Sequence, residues 1–186
     1  PYTIADYLAD EIKTPKIPTN TPEFDAAEKE VKERIERLMA INGTETATSF
    51  HKRLGKIMWD YCGMVRNEEG LKKALTLLDE LKDEFWKNLK VPDTASELNQ
   101  ELEKANRVAD FLELGKLMVY DALNRKESCG AHFREESQTE TGEAKRDDEN
   151  YSYVAAWEFT GDGKEPILHK EELKFEEVEM KVRSYK

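Results

Sequence analysis

Leu71-Lys72-Lys73-Ala74-Leu75-Thr76-Leu77-Leu78-Asp79-Glu80-Leu81-Lys82-Asp83-Glu84-Phe85 reads as an amphipathic helix. Leu71, Leu75, Leu78, Leu81 and Phe85 recur at helical spacing and form one apolar seam, with charge on the opposite side. Asn67 is placed to cap this helix, with Glu68 and Glu69 in the first turn where the positive end of the helix dipole favours acids. Val91-Pro92-Asp93 closes it. A helix with a single apolar seam needs neighbours, and the flanking sequence supplies them on both sides.

Upstream, Thr21-Pro22-Glu23 combines a capping hydroxyl, proline at the first helical position and an acid in the first turn. Phe24, Ala27, Val31, Ile35, Leu38 and Ile41 follow on one stripe, and Asn42-Gly43 ends the run. A second helix starts near Thr46 or Thr48, with Phe50, Leu54, Ile57 and Tyr61 aligned and Gly63 as a break or a close contact. Downstream, a helix starting after Asp93, Thr94 or Ser96 is lined by Leu98, Leu102, Ala105, Ala109, Leu112 and Val119. Short links favour antiparallel packing of successive helices. If the 46–61 and 67–90 segments act as one bent helix, the sum is an antiparallel three-helix bundle, spectrin-repeat-like. The amino terminus adds a short helix from Thr3 to about Ile12 and a linker punctuated by Pro15, Pro18 and Pro22.

The helical period stops at Asn124. Residues 125–149 are crowded with charge, and Tyr151–Phe159 reads as an aromatic-rich strand. Thr160-Gly161-Asp162-Gly163 has turn chemistry, Ile167-Leu168-His169 returns as a second strand, and Val178–Arg183 alternates as a third would. The division is therefore a helical bundle over 1–124, with its short first helix and linker, and a charged loop with a small antiparallel β tail over 125–186. Cores avoid arginine and acid, so the charged segment is expected to lie outside the core as a docking element.

The chain has 186 residues and a formal net charge of −11. That acidity speaks against unaided binding of nucleic acid or anionic lipid, both of which need cationic surfaces. No run is apolar enough to insert in a bilayer, and the first residues lack the pattern of a signal peptide. The sequence opens on Pro1 rather than Met, which fits a segment of a longer polypeptide. Two cysteines, Cys62 and Cys129, form no disulfide framework and fit a reducing, cytosolic setting.

Cys129-Gly130-Ala131-His132 has the spacing of half a metal site, but His51, His169 and Cys62 offer no second closely spaced pair, so no metal is expected. A Cys–His nucleophile at the same place lacks an orienting acid. No Gly-x-Gly-x-x-Gly follows a strand, and Gly161-Asp162-Gly163 has no helix after it to receive a phosphate. Glu127, His132, Arg134, Glu135, Arg146, Asp147 and Asp148 read either as a solvated charged loop or as a polar network whose forked arginine donors fix carboxylates or carbonyls across an interface.

Three segments carry a family resemblance. Arg125-Lys126-Glu127-Ser128-Cys129-Gly130-Ala131-His132-Phe133-Arg134, then Arg146-Asp147-Asp148-Glu149, and upstream Met58-Trp59-Asp60-Tyr61-Cys62-Gly63-Met64-Val65-Arg66-Asn67-Glu68-Glu69-Gly70-Leu71 run in one order. Together they resemble the C-terminal region of the flavoprotein subunit of succinate dehydrogenase and fumarate reductase. Cys129 stands where the common family form has arginine, and the stretch Ser137–Lys145 is longer than in many relatives. The resemblance implies a helical domain of an FAD enzyme that interconverts succinate and fumarate, with the flavin and dicarboxylate sites on the earlier part of the subunit. It implies no catalytic, cofactor-binding or metal-binding residue here. As docking residues against the flavin domain it implies Arg125, Glu127, Ser128, His132, Arg134, Arg146, Asp147 and Asp148. It implies as partners the chain's own flavin domain, an iron–sulfur subunit and a membrane quinone-reactive subunit. It places the whole on the cytoplasmic face of the inner membrane. The alternative from the residues alone is a free-standing helical protein-interaction module.

Overall fold

The computed structural model describes residues 2–11, 17–161 and 163–181. The elements, in order, are α1 (Tyr2–Glu11), α2 (Pro22–Ala40), β1 (Glu45–Thr46), α3 (Ala47–Cys62), β2 (Val65–Arg66), α4 (Glu68–Asn88), β3 (Leu89–Lys90), α5 (Gln100–Asn124), β4 (Phe133–Arg134), α6 (Asp148–Tyr151), β5 (Tyr153–Glu158) and β6 (Ile167–Glu172).

Thr21 stands at the N-cap of α2 but makes no side-chain capping hydrogen bond, whereas α3, α4 and α5 start where side chains take up orphan amide hydrogens. Thr46 Oγ1 accepts from Ser49 N, Asn67 Oδ1 from Gly70 N, and Asn99 Oδ1 from Glu101 N and Leu102 N. The last cap lies beyond the starts expected at 93–96, so Leu98 falls outside α5 and is 95% exposed rather than lining its inner face.

The expected mainly helical bundle with a β tail is observed, built from α3, α4 and α5, each packed on the other two. The 46–61 and 67–90 segments are not one bent helix. The chain reverses at Gly63, where a Cβ would come within 2.9 Å of the Trp59 carbonyl oxygen, and α4 folds back onto α3. Short parallel bridges fix the directions. β1, at the start of α3, pairs with β3, at the end of α4, so these helices are antiparallel. β2, at the start of α4, pairs with β4, beyond the end of α5, so α4 and α5 are antiparallel too.

Phe50, Leu54, Leu71, Leu78, Leu81, Phe85, Ala105, Leu112 and Val119 form the core, together with Val108 and Ala122. Phe50 and Phe85 meet edge to face, ring centroids 5.3 Å apart. α2 joins only through its C-terminal half. Leu38 is its one buried residue, Arg34 reaches Asn106 O and Asp110 on α5, and Arg37 lies 3.9 Å over the Trp86 ring. Phe24 and Val31 of the expected stripe are exposed.

β5 and β6 form the expected antiparallel hairpin, Tyr153 opposite Glu172 through Glu158 opposite Ile167. Tyr153, Ala155 and Trp157 turn inward while Val154, Ala156 and Glu158 face solvent. The alternation at Val178–Arg183 produces no third strand among the described residues, where Val178 and Met180 are exposed. Val182 and Arg183, and the linker's Pro15, lie outside the described residues.

Candidate functional site

The charged residues after Asn124 gather at one end of the bundle, where α4 begins and α5 ends. An α-helix leaves its last carbonyls without partners, and a cation there meets both the hydrogen-bonding need and the dipole. Arg134 supplies it. Its guanidinium Nη1 donates to Ala122 O at 3.0 Å and Leu123 O at 3.3 Å, and only 2% of the residue is exposed. Its Nε donates to Glu136 Oε2 at 3.0 Å. The other Glu136 oxygen accepts from Glu68 N at 2.6 Å, the first amide of α4. One arginine–carboxylate pair thus joins the negative end of α5 to the positive end of the antiparallel α4. Burial pushes the Glu136 carboxyl up, but the Glu68 amide and Arg134 outweigh it, and the group titrates below the usual carboxylate value.

Ser128 is fully buried and spans the turn that delivers Arg134. Its Oγ accepts from Arg134 N at 2.8 Å and donates to Arg134 O at 3.2 Å. Cys129 and His132 exchange backbone hydrogen bonds across Gly130, whose φ of +60° is the left-handed region that suits glycine. That pairing turns the chain back on itself. The His132 ring contacts Arg125 O at 2.8 Å and Arg66 Nη1 at 3.2 Å, so it is engaged on both nitrogens. Cys129 is exposed. Among the described residues no group of three His, Cys, Asp or Glu is placed to hold a metal ion.

Arg125 and Glu127 face the β tail. Arg125 Nη1 pairs with Glu127 Oε1 at 2.6 Å and also donates to Tyr151 O, while Nη2 donates to Tyr153 O. Glu127 is 3% exposed, and its second oxygen accepts from Asp147 N at 2.9 Å. Asp147 in turn caps α6 through Asn150 N. The third pair, Arg146–Asp148, stands apart: it lies toward the surface, and Arg146 Nη1 donates to Lys181 O. The hairpin is held to α5 by Trp157 Nε1, which donates to Asp121 Oδ1 at 2.8 Å, and by the edge-to-face contact of Trp157 with Tyr120.

The residues singled out in the sequence therefore share one network, apart from the outlying Arg146–Asp148 pair. The segment expected to lie outside the core puts Glu127, Ser128 and Arg134 among its buried groups. Sequence reasoning missed Glu136 and the part played by Arg66 and Asn67. Arg66 Nε donates to Gly63 O, and Asn67 Nδ2 donates to Glu135 Oε2. The signal lies in Met58–Leu71, a block distant in sequence from Arg125–Arg134. β2–β4 pairing brings Val65 and Arg66 of that block against Phe133 and Arg134.

Beside this network, Leu114, Leu117 and Met118 of α5 and Val154 of β5 line a shallow open groove with Arg125 and Asp121 at its edge. Leu114 and Met118 are each 52% exposed and Val154 50%. Among the described residues no helix is long and apolar enough to cross a membrane.

Residues 51–185 match the model of the family described as fumarate reductase flavoprotein C-term. The fumarate reductase flavoprotein subunit of a Serratia species is 35% identical over 134 residues, 72% of this chain and 22% of that protein. The succinate dehydrogenase flavoprotein subunit of Bacillus subtilis is 33% identical over 111 residues, 60% of this chain and 19% of that one. A solved Escherichia coli quinol fumarate reductase variant superposes with a TM-score of 0.73 at 26% identity, covering 88% of this chain and 27% of that chain. The chain thus spans about a fifth to a quarter of the length of the relatives it matches.

Proposed function

This chain belongs to the family of C-terminal domains of succinate dehydrogenase and fumarate reductase flavoproteins, and we propose that it serves such an enzyme by packing against the flavin-binding region and supporting subunit assembly, with no catalytic residue of its own. The observation that carries the reading is the contrast between its two sides. The charged motif is spent inward, closing the ends of α4 and α5, while Leu114, Met118 and Val154 remain in solvent beside it. Contiguous exposed apolar side chains mark surfaces that meet another protein.

FAD fits the relatives' flavoprotein descriptions, and the capped starts of α3, α4 and α5 support placing its site elsewhere in the parent subunit. A flavin's pyrophosphate seeks open amides at a helix N-terminus. Here those of α4 are taken by Asn67 and the Glu136 carboxylate, and those of α5 by Asn99. The flavin, which supplies hydride transfer between succinate and fumarate, is accordingly assigned to the remainder of the parent subunit. This chain's residues contribute rigidity: Arg134, Glu136, Arg125 and Glu127 fix the tail to the bundle. Arg146, Asp147 and Asp148, half-buried in the tail, are assigned with them to the contact with the flavin region. The iron–sulfur subunit and the membrane quinone-reactive subunit are the further partners of the parent, on the cytoplasmic face of the inner membrane.

The test is spectroscopic and kinetic. The purified chain is expected to be colourless and inactive with succinate or fumarate. Flavin absorbance that stays with the chain through gel filtration would contradict the proposal.

A further inference from the structure

We propose that His132 is a pH-sensitive latch between the α3–α4 turn and the end of α5: neutral it closes the contact, protonated it releases it. The argument is one of donors and acceptors. Arg125 O can only accept, so the ring nitrogen 2.8 Å from it, Nε2, carries the proton. A neutral ring has only that proton, which leaves the Nδ1 lone pair facing the Arg66 guanidinium at 3.2 Å. Arg66 is a permanent donor and is oriented by its own bond from Nε to Gly63 O at 2.8 Å. The neutral imidazole therefore satisfies both neighbours. The imidazolium satisfies only one, because its Nδ1–H points at another N–H and its charge meets another cation.

The Arg125 carbonyl favours the protonated ring, but burial and the neighbouring cations outweigh it. The charged groups whose fields reach the ring are Arg66 from β2, Arg125 from the end of α5 and Arg134 from β4, all positive. Cys62, facing Arg66 from the end of α3, is pushed up by burial and stays a neutral thiol. Burial first, and then these cations, hold His132 below the ordinary histidine value. The other two histidines differ: the exposed His169 pairs with Glu158, and His51 packs against the Phe111 ring.

The contact that His132 latches is slight. Phe133 N donates to Met64 O at 3.3 Å and Glu135 N to Arg66 O at 3.0 Å across the two-residue β2–β4 pairing. Because the folded ring binds a proton more weakly than the unfolded one, protonation favours opening. The latch is fully present above about pH 6.5, the ordinary histidine value. It is lost as the pH falls through the lower folded value. The core contacts of α3, α4 and α5 carry no part of this, so opening is local. The inference does not rest on the role proposed above.

The experiment is a pH titration of the full chain labelled with ¹⁵N in its histidines, with amide exchange followed at Phe133 and Glu135. At pH 7 His132 is expected as the Nε2–H tautomer, titrating below the ordinary histidine value. Exchange at Phe133 and Glu135, corrected for its intrinsic pH dependence, should speed up by up to about tenfold per pH unit between about pH 6.5 and the ring's own titration point, and level off below it. In His132→Gln, which keeps a donor and an acceptor but no titrating proton, that acceleration should vanish. An Nδ1–H tautomer, a titration at or above the ordinary value, or the same acceleration in the glutamine variant overturns the proposal. If the variant does not fold, the tautomer and titration of the unaltered chain decide it.

Discussion

Truncating Arg134 to alanine removes the donor that closes the last turn of α5. Two carbonyls, Ala122 O and Leu123 O, lose their partner in a place where the arginine is 2% exposed. Hydrogen bonds to a charged group stabilise by about 1.5–3 kcal/mol each, and a buried acceptor left unmade costs on the order of 1–3 kcal/mol. The ion pair with Glu136 adds less, about 0–1 kcal/mol, because that carboxylate side chain is 45% exposed. Water entering the vacated space recovers part of the loss. The expected destabilisation is about 3 kcal/mol. Arg134→Lys keeps the charge but not the fork and should lose about 1–2 kcal/mol. Glu136→Gln should lose under about 1 kcal/mol. Urea unfolding followed by far-ultraviolet circular dichroism at pH 7.5 measures all three. A loss within ~0.5 kcal/mol for Arg134→Ala, the range of ordinary surface substitutions, would refute the reasoning that this motif closes the bundle end.

Leu112, 2% exposed between α3 and α4, should cost about 2–5 kcal/mol when cut to alanine, read from the same unfolding curves. Gly43→Ala places a Cβ 2.0 Å from Asn88 O, forcing apart the backbone bonds from Gly43 N and Thr44 N. A loss of about 1–3 kcal/mol is expected, and an unchanged midpoint would show that the loop shifts freely. Thiol labelling at neutral pH should modify the exposed Cys129 at once and the buried Cys62 only with unfolding; equal rates would contradict the packing of α3.

The helices were legible because their apolar period is intrinsic to the chain, and the seam Leu71, Leu78, Leu81, Phe85 is buried as read. The extent of burial was not, because it depends on what lies opposite. α2 has a full apolar stripe, but only its C-terminal half meets α5, leaving Phe24 and Val31 outside. Leu98 was lost from α5 because Asn99 outcompeted Asp93, Thr94 and Ser96 as the cap. The alternation at Val178–Lys181 forms no strand, although the two-stranded β5–β6 sheet leaves a free edge on each side, so alternation alone does not decide pairing. In the network, residue types announced polar chemistry, and their place in the sequence gathered most of the members. Their direction was hidden. Whether Arg134 points outward to a partner or inward to carbonyls is decided by where α5 ends, and by a glutamate that closes α4 some 68 positions away.

The central claim is that this chain docks on a flavin-binding region. Its most direct test is to mix the purified chain with the separately expressed flavin-binding region of the flavoprotein from the same organism and to measure mass by light scattering during gel filtration. The account predicts a one-to-one yellow complex that Met118→Asp abolishes while the variant keeps the helical signal of the unaltered chain. Two separate peaks from folded components, or a complex indifferent to Met118→Asp and to a matching Leu114→Asp change, would contradict it, the first favouring a free-standing interaction module.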